Sequence, residues 1–140
     1  MIRGSPVKHT NPPTLPRPMG YTHVVEATGG RTIHVSGQIA LDHTGALVGE
    51  RDIRAQTRQV FENLKAALAA ADATFHDVVK ITVFMTDVSD LTAFREIRDL
   101  YFTRNPPASS LVQVARLVRP ELMIEIEAVA IVEGSGQMPI

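Results

Sequence analysis

LMIEIEAVAIV, residues 122–132, alternates as a strand does. Ile124, Ile126, Ala128, Ala130 and Val132 point one way, suited to packing under helices. Met123, Glu125, Glu127, Val129 and Ile131 point the other way. That second face is too aliphatic to be simply wet, yet it holds two carboxylates. DVVKITVFMTD, residues 77–87, behaves similarly. Val79, Ile81, Val83 and Met85 form its core side, and Val78, Lys80, Thr82 and Phe84 its second face. A mixed face of this kind reads as an interface between subunits.

Working outward, two helices frame the second of these strands. Asp52 caps a helix running to about Ala71, with Val60, Leu64, Ala67, Leu68 and Ala71 as its buried stripe. Ser89 or Asp87 caps another, in which Leu91, Phe94, Ile97, Leu100 and Tyr101 share a face. Asn105-Pro106-Pro107 stops it. SLVQVARL, residues 110–117, follows as a strand. Upstream, YTHVVEA, the turn Gly29-Gly30 and RTIHVSG read as a hairpin. The order β-β-α-β-α-β-β predicts an α+β fold, a single mixed sheet with two helices on one face. Residues 1–19 carry Pro6, Pro12, Pro13, Pro16 and Pro18 and are expected as an extended arm. Residues 20–133 then form the domain, and 134–140 a frayed tail.

The 140 residues fit one domain with a real core. Fourteen Lys+Arg against 15 Asp+Glu leave a net charge of -1, which offers no electrostatic footprint for nucleic acid. There is no cysteine, so disulfides, thiolate catalysis and cysteine-based zinc sites are excluded. No apolar run approaches the roughly 20 residues that span a bilayer, and the N-terminus lacks the apolar core of a signal peptide. The expected setting is cytoplasmic.

Glu125 and Glu127 lie two apart on one strand face. Either one orients water or moves a proton in an apolar cleft, or the pair is matched by Lys80 or an arginine on a neighbouring strand. The five histidines show no H-x-x-x-H or H-E-x-x-H spacing, so no metal site is expected. His23 and His34 sit on the two hairpin strands as ordinary strand residues. Gly37, between Ser36 and Gln38, permits close approach of a backbone or ligand, or marks a plain bulge. Ser109 and Ser110 lack an evident base, which argues against a nucleophilic serine.

Three stretches together resemble the RidA family, also called the YjgF/YER/UK-type family. They are VSGQIALD with the following Gly45, DVVKITVFMTDVSDL, and the closing PPASSLVQVARLVRPELMIEIEAVAIV. The similarity runs from about Tyr21 to Val132. It implies a chorismate-mutase-like fold and a homotrimer with three clefts between subunits. It also implies hydrolysis of reactive enamines and imines, with release of ammonia and no cofactor. Glu125 matches the family glutamate that orients water, Tyr21 the cleft tyrosine, and Ser36, Gly37 and Gln38 match directly. In deaminating members an arginine after the closing Pro-Ala clamps the substrate carboxylate. Here Ser109 stands in its place, beside Ser110, and both serines are expected to hold substrate. Arg116 matches an arginine taken as structural. The expected protein is thus a RidA-like hydrolase of a labile amine that relies less on a substrate carboxylate. The alternative is a non-catalytic protein that binds or senses a small metabolite in the same cleft. Neither needs a membrane, and the charge balance argues against an RNA-acting relative.

Overall fold

The computed structural model describes residues 7–133. Residues 1–6 of the expected arm and the expected tail 134–140 lie outside the described residues. The elements are β1 (Val7–Thr10), β2 (Val24–Ala27), β3 (Arg31–Ile39), α1 (Ile53–Ala70), β4 (Val78–Met85), α2 (Leu91–Tyr101), β5 (Ala108–Gln113) and β6 (Ile124–Val132). The main sheet has the order β3-β6-β4-β5. β6 is antiparallel to both β3 and β4, and β5 is parallel to β4. β3 and β4 therefore run the same way with β6 inserted between them, and α1 makes the crossover.

The expected hairpin is altered. Gly29 and Gly30 do turn the chain, with φ of 68° and 76°, the conformation that glycine adopts without penalty. Beyond the turn the strands diverge. β3 spends its pairing on β6, and β2 pairs instead with β1 from the proline-rich arm, from Val7↔Ala27 to Thr10↔Val24. β2 approaches β4 without pairing to it, and Gly30 seats against the side chain of Ile131. Ile131 is consequently only 7% exposed, although it belongs to the face away from the helices.

Both helices cover the other face. Asp52 caps α1 by accepting the amide of Ala55 at 3.1 Å. Val60, Phe61, Leu64 and Leu68 of α1, with Phe94 and Ile97 of α2, bury against Ile81, Val83, Met85, Ile124, Ile126, Ala128 and Ala130. Asp87 caps a short 3-10 turn that leads directly into α2, accepting the amide of Ser89 at 2.9 Å.

One alternation expectation and one helical-stripe expectation are corrected. A β-bulge shifts the β4–β6 register between Val78 and Lys80. Val78, not Val79, is therefore a core residue, at 3% exposure. On α2, Leu100 is exposed and Arg98 is buried in its stead. The Arg98 guanidinium lies 5.7 Å over the Phe94 ring, its Nε donates to Asp99 at 2.9 Å, and its terminal atoms abut Gly20. It joins the incoming arm to α2. Among the described residues no helix is long and apolar enough to cross a membrane.

Candidate functional site

On the sheet face away from the helices, the registers lay out three rows across the strands. The first is His34, Val129, Lys80 and Ala108. The second is Glu127, Thr82 and Ser110, and the third is Ile39, Glu125, Phe84 and Val112. Glu125 is half-buried and Glu127 exposed. Neither carboxylate has an ion-pair partner among the described residues. Lys80, expected to match one of them, donates to the hydroxyl of Ser110 at 2.9 Å instead.

Glu125 owes its seat to a second irregularity. The β3–β6 register shifts between Val35 and Gln38, so Ser36 and Gly37 form a bulge. Gln38 donates its side-chain amide to the Ser36 carbonyl at 3.1 Å across it. The Glu125 carboxyl group occupies the space a Cβ at Gly37 would fill, with Cδ only 2.7 Å from that position. The glycine is thus both bulge and close approach, and what approaches is the carboxylate of β6.

Two amide side chains of α1 fix both strands at this row. Asn63 donates to the carbonyls of Ile39, the direct partner of Glu125, and Leu41, each at 2.9 Å. Gln56, fully buried, donates to Gly49 and Glu121 at 3.1 and 2.9 Å and accepts the Met123 amide at 2.8 Å. Met123 is two residues from Glu125. Losing the Gln56 amide strands three backbone groups, at about 1–3 kcal/mol for each that stays dry. Sequence reading missed both residues. The signal was a polar side chain at helical spacing within the apolar stripe, four before Val60 for Gln56.

The remaining predicted residues lie elsewhere. Ser109 pairs with Ile81 of the core, so it faces the helix side, whereas Ser110 faces the other side with Lys80. Between Ser109 and Glu125 lie two strand spacings, about 10 Å, and three residues along the strand, about another 10 Å. Tyr21 is on the Ser109 side. Thr22 beside it donates its amide to Pro107 at 3.0 Å and its hydroxyl to Pro106, ahead of β5. The Tyr21 ring meets His23 edge-on at 5.2 Å. Within one chain the seven candidates therefore form two groups. Glu125, Ser36, Gly37 and Gln38 gather at the β3–β6 bulge, and Tyr21, Ser109 and Ser110 at β5. Arg116 bonds its own loop, donating to Leu117 at 3.1 Å. No group of three side chains suited to hold a metal ion occurs among the described residues.

A family model described as Endoribonuclease L-PSP matches residues 14–132, spanning both groups. The chain belongs to this family, the RidA or YjgF family. A RutC family protein of Pyrococcus horikoshii is 40% identical over 116 residues, covering 82% of this chain and 90% of that relative. A protein of Salmonella typhimurium named 2-iminobutanoate/2-iminopropanoate deaminase is 41% identical over 105 residues, 73% of this chain and 80% of its own. The crystal structure of a Rid-family protein of unknown function from Yersinia pestis superposes with a TM-score of 0.85 at 40% identity, covering 91% of this chain and 99% of that one. The RidA-family fold expected from the sequence, one main sheet with two helices, is the fold observed. The family also includes proteins named as imine deaminases.

Proposed function

We propose that this protein hydrolyses reactive imines or enamines at a site completed between copies of the chain. The observation that carries this reading is Glu125: a half-buried carboxylate without an ion-pair partner among the described residues, seated against the backbone of a glycine bulge. Such a carboxylate suits a general base. It takes a proton from water as the oxygen attacks the imine carbon. It hands that proton to the imine nitrogen to leave a carbinolamine, then carries the carbinolamine's hydroxyl proton to the same nitrogen as the carbon–nitrogen bond breaks. Imine and water become a carbonyl compound and ammonia, with no redox partner required.

Ser109 on β5, and Tyr21 next to the Thr22 that bonds ahead of it, join this site only from another copy, because within one chain β5 lies too far from Glu125. The face that must be covered carries half-buried Phe84, Met123 and Val129 and exposed Val112. A homotrimer, the assembly the family resemblance implies, would bury it. Sedimentation at micromolar concentration should show the trimer, and a stable monomer would remove the shared site.

Ser109 directs the choice of substrate. A serine hydroxyl offers one hydrogen bond and no charge, where an arginine would grip a carboxylate with two. A charge-assisted bond of this kind is worth about 1.5–3 kcal/mol, roughly ten- to hundred-fold. Ammonia release from freshly generated 2-iminopropionate should therefore be slow relative to an imine without a carboxylate. Ser109→Arg should raise the 2-iminopropionate rate by about that factor. Equal wild-type rates on the two substrates would show that another group supplies the clamp. The missing arginine also favours a second reading, a protein that binds a metabolite without turnover. Saturable ligand binding with no ammonia release from either imine would select it.

A further inference from the structure

A second set of polar groups on the same sheet face, Ser36 apart, is not used by the chemistry above. His34, Ser36, Lys80, Thr82, Glu127 and Val129 surround a depression of about 230 Å³. Neither Glu125 nor Gly37 lines it; they lie one row further along. We propose that this depression is a separate binding site for a small zwitterion of the α-amino-acid type, its carboxylate on Lys80 and His34 and its ammonium on Glu127.

The registers set the spacing. His34 and Lys80 both stand opposite Val129, one on each side, so their side chains reach over it from two strands. Glu127 is two residues along β6, about 7 Å from that row. Positive and negative poles are thus offset by the length of a small zwitterion held by hydrogen bonds at both ends. They do not satisfy one another. Lys80 spends one of its three protons on Ser110 at 2.9 Å, and Glu127 has no ion-pair partner among the described residues. A neutral imidazole always carries one N–H, so His34 can add a donor.

The volume suits a molecule of amino-acid size, below the range of about 300–1,000 Å³ typical for larger ligands. Covering this face without a counter-charge would leave Lys80 and Glu127 dry and unpaired, which is costly. A zwitterion meets both charges and adds none. A simple carboxylate would leave Glu127 unmet, and a simple amine would leave Lys80.

The test is a titration of the assembled protein with glycine, acetate and methylammonium, followed by amide NMR shifts. Glycine should saturate, with shifts centred on Val129 and its neighbours in β3 and β4. Acetate and methylammonium should each bind about tenfold more weakly or worse. Lys80→Met and Glu127→Gln should each weaken glycine by about the same factor, and Glu125→Gln should not. Three results would overturn the proposal. One is no saturable glycine binding to the wild type. Another is glycine binding abolished by Glu125→Gln, which would place it at the catalytic row. The third is an assembly broken by Lys80→Met or Glu127→Gln with no glycine binding to the wild type, which would make the two residues an ion pair between copies. Because the wild-type shifts locate the ligand directly, the test stands even if a variant fails to fold.

Discussion

Glu125→Gln should lower the rate of ammonia release by about 10²–10⁴-fold, the range that a positioned general base contributes. The amide keeps the shape of the carboxyl group but cannot accept the proton that water sheds. The fold should survive, because the wild-type carboxylate has no ion-pair partner to lose among the described residues. Removing a half-buried charge is neutral or mildly stabilising in that case. The expected signature is a fall in kcat with KM little changed, in a protein whose thermal midpoint is at least that of wild type. A variant with wild-type kcat would show that the proton goes elsewhere.

Gly37→Ala should lose about 100-fold in kcat, the scale of a misplacement of about 1 Å. The added methyl would sit 2.7 Å from Cδ and 3.0 Å from Cγ of Glu125. Gly37 has no left-handed φ, so an alanine backbone is unstrained there. What must move is the far end of a flexible side chain. Stability should therefore change little, while the carboxylate is driven from its seat. The test is a double-mutant cycle. If the glycine acts by making room for Glu125, adding Gly37→Ala to Glu125→Gln should cost almost nothing further. A full additional loss in the double variant would show that Gly37 serves the substrate directly, for example through its amide.

How much of this was legible in the sequence depends on whether a residue's role is set locally. The alternation of residues 124–132 showed both sheet faces correctly, and Asp52 marked the start of α1, because period and capping are local properties. The displacement of Val78 into the core was not legible, since an extra residue at a bulge leaves no trace in a run of valines. The burial of Arg98 left no signal either, because an arginine is seldom buried. The Phe94 ring and the Gly20 backbone that receive it come from the helix itself and from a segment 78 positions earlier. The same limit governs the site. Gly37 and Glu125 stood out separately, but their mutual contact depends on the register of β3 against β6. That Ser109 faces the helices and Ser110 the opposite side follows only from the pairing of β5 with β4.

The position of β6 has a consequence for how the protein is made. Of the six strands among the described residues it is the last to be synthesised, yet it lies inside the main sheet, between β3 and β4. Until it emerges from the ribosome, β3 and β4 each present an unpaired edge, and α1 and α2 have only part of their floor. Gln56 also waits for its partners Glu121 and Met123. The nascent chain is thus exposed to wrong pairing for most of its synthesis. The long-range closure that ends this period is slow compared with helix formation. The strand that bears Glu125 is therefore also the one that commits the whole domain to its shape, so the base and the stable sheet arise in a single late event.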